Sequence, residues 1–394
     1  MGRALLIIVL GFSAIFGMTM FNVTANQQRS SRAILQQYEN WLRRNAKETA
    51  TNVGISKLYQ NPNWTGTYNG SFGGATFTVT SSKLMPDSAH VAKGIQLTTS
   101  VTYDGIADTT TAVYFQPAYS YFYDFFHKWN PAGTPARPRY STGDTVVAPI
   151  YVKERIRTTG SPVFMSKVVS SNATIDALSG APVFYDDIEL GTATILLDNS
   201  VVAALIDTII VKNILPDTDE IWLTLMGASY KDSIPNLGIL STGFITDLNG
   251  VLMTGPGSNQ DIHVQGTIDG QLTIYSDRDI RIENNITYAT ANAFLGLIAK
   301  RNVTVADNFP NSTNVIHATI MALENFNVEH YDTLPSMGTL TIFGSLIRKN
   351  WRPTGVGTTN GYVLNHVYDP RLRIQTPPYF PRITNRNEKF FRSD

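Results

Sequence analysis

Apolar positions fall along this chain in three regimes. Residues 4 to 21 read ALLIIVLGFSAIFGMTMF, apolar on every side, with no charge between Arg3 and Arg29. About 18 such residues in a helix cross a ~30 Å hydrocarbon layer. A period near 3.6 then takes over. Ile34, Tyr38, Leu42 and Ala46 recur at i, i+4 and are continued by Ala50 and Val53, with Leu35 and Trp41 flanking the stripe. Arg29, Arg32, Glu39, Arg43, Arg44, Lys47 and Glu48 occupy the other faces. Pro62 predicts the stop. The pattern therefore predicts one helix within residues 1–60, apolar over 4–21 and amphipathic over 22–58, about 85 Å long at 1.5 Å per residue.

Beyond Pro62 the period drops to two. Ala75–Thr80 and Ile95–Tyr103 alternate as half-buried strands, predicting a small β-module over 61–118. An aromatic and proline-rich stretch, 119–144, reads as a linker; it carries Tyr119, Phe122, Phe125, Trp129, Pro131, Pro135 and Pro138. From 145 to 394 short β-branched strands recur with Gly, Asn or Asp at the breaks. Val163–Val169, Val183–Leu190 and Leu340–Ile347 are examples, and HVQGTIDGQLTIYSDRDIRIENNI is the most regular run. Strands that follow one another after so few residues suit a parallel β-helix, in which each coil buries its face on the next. A β-sandwich is the second choice. Ser200–Leu215 fits a buried helix or two strands equally. The fold class expected is α+β, mainly β: a long N-terminal helix, a small β-module and a solenoid-like domain with a basic C-terminal tail.

Composition narrows the chemistry. Charged residues make up 16% of the chain, low for a soluble protein, so Thr, Asn, Ser, Gly and Tyr must supply the polar surface. Net charge is zero, which gives no electrostatic reason to bind nucleic acid and little repulsion between copies. The absence of cysteine excludes disulfides, thiolate metal sites and cysteine nucleophiles. Six histidines, at 90, 127, 263, 317, 330 and 366, show no ligand spacing to one another. No phosphate loop, dinucleotide fingerprint or nucleophile elbow is present. Asp186-Asp187 with Glu189, and Asp217 with Asp219-Glu220, lack the spacing of a calcium loop. Asp277, Arg278, Asp279 and Arg281 are the one cluster worth testing for a polysaccharide lyase, and they read better as turn residues. No catalytic residue, metal or cofactor is expected, and the chain is not expected to be an enzyme.

The apolar start has two readings. Val23-Thr24-Ala25 fits a secretory cleavage site after Ala25. The unbroken amphipathic continuation favours a retained helix, with Arg3 on the cytoplasmic side and the rest of the chain outside. The short basic start Met1-Gly2-Arg3, the apolar stretch and the amphipathic helix leading into β-structure resemble the type IV pilin and pseudopilin superfamily, its larger minor-pilin-like members above all. Leu5 stands where that family usually has Glu, and no acidic residue precedes Glu39. The C-terminal half, through Gly266–Ile274, Leu295–Ala299, Tyr368–Leu372 and Pro377–Pro381, resembles bacterial surface proteins that join a pilin-like start to a β-solenoid.

The resemblance implies a structural subunit of an extracellular filament. Its helices would bundle in the core through Leu5, Leu6, Ile7, Ile8, Val9, Leu10, Phe12, Ile15, Phe16, Met18 and Phe21, and its β-domains would form the sheath. The implied partners are other copies, the inner membrane before assembly and a pilus-type assembly machinery. The alternatives are a single-copy, membrane-anchored surface protein that binds a surface or polysaccharide, and an anchored β-helix lyase. Charge asymmetry adds a candidate contact. Residues 176–220 hold nine acidic side chains and one basic, whereas from Arg348 onward there are nine basic and three acidic. Arg371, Arg373 and Arg382 are therefore expected to meet the acidic region of another subunit. Sequons such as those at Asn63, Asn172 and Asn311 are frequent by chance in Asn/Thr-rich sequence.

Overall fold

The computed structural model describes residues 2–61, 64–83, 94–115, 118–128, 140–201, 203, 213–216, 218–234, 238–307, 314–356, 359–373, 375–383 and 388–393. Pro62, His90, Asp217, the proline-rich 129–139 and most of Ser200–Leu215 lie outside them, as do the side chains of residues 1–7. The chain forms two compact units.

The first unit holds one helix, α1 (Gly2–Gln60), and an antiparallel sheet. Strands β1 (Gly66–Phe72), β2 (Ala75–Lys83), β3 (Gly94–Tyr103) and β4 (Ile106–Phe115) pair in chain order, and the C-terminal strand Glu388–Ser393 adds beside β4. The basic tail thus ends as a strand of the small β-module. Period-two alternation points Phe77, Val79, Leu97 and Val101 at α1, where Ala46, Ala50 and Leu58 meet them. Gly54 lets helix and sheet close up, because a Cβ there would lie 2.8 Å from Val79 Cγ1.

The second unit is built from parallel coils. Leu272 lies beside Leu295, Gly296 beside Thr319 and Asn302 beside Asn325, so that neighbours in the stack recur 23 positions apart. Its inside is aliphatic, with Ile262, Ile280, Leu297, Ile320 and Leu346 fully buried. The N-terminal coils are tighter: Tyr140 lies beside Thr158, and Val163 beside Thr145, a step of 18.

Three expectations change. The aromatic stretch read as a linker is core. Strand β5 (Asp124–Lys128) pairs in parallel with Ile150–Val152 on one side and with Leu346–Asn350 on the other, and Phe122, Phe125 and Phe126 are fully buried. Large aromatic surface was legible in the sequence, but one of the two strands that bury it lies near the opposite end of the chain. Val163–Val169 and Val183–Leu190 each divide into two short strands, Val163–Phe164 with Val168–Ser170 and Val183–Phe184 with Ile188–Glu189. A three-sided coil this tight leaves little length for each side: Val163–Phe164 has 2 residues and Asp176–Ser179 has 4. An antiparallel pair over Glu220–Ile234, absent from the expected strands, opens the second run of coils beside Asp261–Ile268.

The order of stacking is not the order of the chain. Ile188–Glu189, Val168–Ser170, Ile150–Val152, β5, Ser336–Asn350, Asn314–Val328, Phe294–Ala299, Gln271–Ser276 and Val251–Met253 form one parallel row. The first coils wind away from β5, and the later ones begin at the opposite end of the row and wind back to it.

Candidate functional site

Among the described residues, the longest run of exposed apolar side chains is at the start of α1. Ile8 is 56% exposed and Phe21 74%, and Val9, Leu10, Phe12, Ile15, Phe16 and Met18 fall between them. The segment is long and apolar enough to cross a membrane, and none of its apolar window is covered by the chain itself. For Leu5, Leu6 and Ile7 only the helical backbone is described. The amphipathic stripe divides in two. Leu42 and Ala46 are buried against the sheet, while Ile34 and Tyr38 remain exposed, Tyr38 stacking on Trp41 with ring centroids 6.0 Å apart. Polar contacts also hold this later part of the helix to the sheet. Lys47 Nζ pairs with Asp108 at 3.2 Å, and Thr51 Oγ1 lies 3.4 Å from Thr99 Oγ1.

The coils carry polar ladders at their own repeat. Asp279 accepts from the amide and side chain of Asn302 (2.8 and 3.0 Å), Asn302 accepts from Asn325 (2.7 Å), and Asn325 accepts from Asn350 (3.3 Å) and from Arg352 (2.9 Å). A second chain of contacts crosses the coils. The His263 ring stacks on Trp222 (4.6 Å), with Nε2 3.1 Å from Glu220 and Nδ1 2.6 Å from Glu283. Arg281 bridges Glu283 and Glu329. Burial pushes the Glu283 carboxyl up, but the hydrogen bond to His263 and the charge of Arg281 outweigh it and hold the group below its ordinary value.

Asp307, Glu329 and His330 place one ligand atom each within 4.8 Å of one another. Those atoms already have partners. His330 Nδ1 lies 2.9 Å from Asp307, and Glu329 takes Arg281 and the amide of Asp307. The Asp277–Arg281 cluster likewise serves the coil corners. Asp277 accepts from Gly257 N, Tyr275 and Lys300, and Arg278 donates to Asn259 O and pairs with Asp261. Each charge is tied to a neighbouring coil, an arrangement that stabilises the stack.

The three arginines expected at a subunit contact have different surroundings. Arg371 is engaged within its own chain: it pairs with Asp369 at 2.6 Å, donates to the carbonyls of Ala291 and Ala293, and lies 4.0 Å above the Phe294 ring. Arg382 is half-buried, and its backbone bridges to Ala118. Arg373 is exposed.

No family model matches the chain, and no curated protein matches it. Among solved structures, the crystal structure of the competence-associated pilin ComZ from Thermus thermophilus is similar at a TM-score of 0.35 and 9% identity, over 89% of this chain and 96% of that one. A likeness that weak carries no functional argument.

Proposed function

We propose that this chain is a structural subunit of an extracellular type IV pilus-like filament. Helices bundle in the core through residues 8–21, and the β-units face outward. Before assembly the same segment sits in the inner membrane, and a pilus-type machinery moves it into the filament, where neighbouring helices replace lipid. The reading rests on one observation: α1 is apolar all round and uncovered by its own chain over residues 8–21, then packs on a sheet from Leu42 onward. Each of Phe12, Ile15, Phe16 and Phe21 loses about 1.5–3 kcal/mol if left in water instead of buried. The helix therefore needs apolar neighbours.

The test is electron microscopy of the full chain after detergent removal. Uniform filaments are expected, and Ile15→Glu should abolish them while the β-units keep their circular dichroism and melting temperature. Dispersed particles from the unsubstituted chain, or filaments that survive Ile15→Glu, would overturn the reading in favour of a single-copy, membrane-anchored surface protein.

A further inference from the structure

Among the described residues, no polar cap covers the last of the N-terminal coils, Asp176–Glu189. Asp176–Ser179 and Val183–Phe184 are edge strands of their three-stranded sheets, and Ile188–Glu189 pairs inward with Val168–Ser170. Inward-pointing positions lose their cover at this coil. Val168 is fully buried, but Ile188, its partner one coil on, is 39% exposed; Phe164 is fully buried, but Phe184 only partly. Leu178 is 55% exposed on the same coil. On the flank, Val147, Met165 and Tyr185 follow the paired positions Val146, Phe164 and Phe184 and form an exposed apolar row leading to the open end. Solenoid ends normally carry a polar outer face, and open strand edges with apolar side chains invite another chain to add.

Charge states what that chain is. Residues 171–198 hold Asp176, Asp186, Asp187, Glu189 and Asp198 and no lysine or arginine. Asp176 and Glu189 are met by Arg157 and Lys167 of the preceding coil, whereas Asp186 and Asp187 are exposed. Two such ends would repel each other, so end-to-end pairing of like coils is disfavoured. The opposite charge lies on the same polypeptide, from Arg348 onward. Within that region Lys349 already acts on Asp198 of its own chain, and Arg348 and Arg371 are occupied by Asp124 and Asp369. Of the three expected contacts, Arg373 is the exposed cation.

We infer that the open coil Asp176–Glu189 is the docking surface for a second copy of this chain, which presents its basic segment around Arg373. The contact is heterologous, so it propagates instead of closing a dimer, as a filament requires. It rests on the subunit reading above.

The chain has no cysteine, which makes the test direct. Full-length Leu178→Cys and Arg373→Cys proteins are mixed in detergent and oxidised. A disulfide requires Cα atoms within about 7 Å, so a cross-link reports contact. A Leu178–Arg373 heterodimer is expected at least tenfold above both the Leu178–Leu178 homodimer and a control pair of Leu178→Cys with Thr109→Cys. A heterodimer at control level, or a homodimer as abundant, overturns the inference. Ile188→Lys combined with Leu178→Lys should weaken self-association at least tenfold in sedimentation, with the melting temperature unchanged; unchanged association overturns it as well. The Ile15→Glu chain keeps the two readings apart. Filaments lost with the cross-link retained is expected if both hold. Filaments formed by the unsubstituted chain without the cross-link sink only the coil contact, and a cross-link in a chain that never forms filaments sinks only the helix-core reading.

Discussion

His127 shows what single residues contribute that composition does not reveal. It is 5% exposed on β5, and its Nε2 lies 2.9 Å from the Ile195 carbonyl, an acceptor only, so Nε2 is the donating nitrogen. Burial drives its pKa down to about 4; the carbonyl bond opposes this, and the charges of Lys153 and Lys349 add to the lowering. The His317 ring is also lowered, again first by burial. In the unfolded chain a histidine titrates near 6.5. Above that pH neither state binds the proton and the full stability is present. As pH falls from 6.5 towards 4 the unfolded chain takes up a proton the folded chain refuses, so stability is lost and the loss saturates near 4. For His127 the loss amounts to about 3 kcal/mol. Urea melts of His127→Gln between pH 7 and pH 4 should show a shallower decline than the unsubstituted protein, because glutamine keeps a donor for Ile195 without the titration. In the sequence His127 was one of six scattered histidines, and only the burial given by distant residues sets it apart.

At the scale of elements, hydrophobic period was readable and its partners were not. The long helix, the strands Ala75–Lys83 and Gly94–Tyr103 of the small sheet and the coils from Asp261 onward follow from periods of 3.6 and two, because each period is a property of one local window of sequence. The break within Val163–Val169 and within Val183–Leu190 escaped, since strands of two or three positions cannot show where a period ends. The asparagine ladder was present as a spacing, Asp279, Asn302 and Asn325 each 23 apart, but it needs the coil register to become meaningful. Stacked amides satisfy one another along a parallel sheet and fix register. Asn325 is its centre, accepting from Asn350 and Arg352 and donating to Asn302. Asn325→Ala should cost about 1–3 kcal/mol and raise hydrogen exchange in Asn302–Val305 and Ser336–Asn350, while the first unit melts unchanged. The same lack of range explains why 119–128 looked like a linker: its aromatic content was visible, but its neighbours in the stack were not.

At the scale of the whole chain, the row of coils has a seam. β5 is held between the first coils and the last, and the apolar interiors on its two sides are separate clusters, one around Phe126, Ile150 and Phe164, the other around Leu346, Ile320 and Leu297. Between them lies an ion pair with both side chains fully buried, Arg348 Nη2 3.1 Å from Asp124 Oδ1, in neighbouring strands 224 positions apart in sequence. A buried pair adds little net stability over an apolar replacement, but removing one partner leaves an uncompensated charge and costs about 3–5 kcal/mol. At this position the pair discriminates register, because a slip of one residue between β5 and Ser336–Asn350 would send Asp124 and Arg348 to opposite faces. Asp124→Leu should therefore lower the midpoint of urea unfolding strongly. Hydrogen exchange should then speed up first in 140–189, the coils whose strand pairing to the later part of the row runs, among the described residues, through β5. Adding Arg348→Met to Asp124→Leu should recover most of the lost midpoint. The double variant should still exchange faster at β5 than the unsubstituted protein, since the apolar pair restores the burial but not the geometric lock.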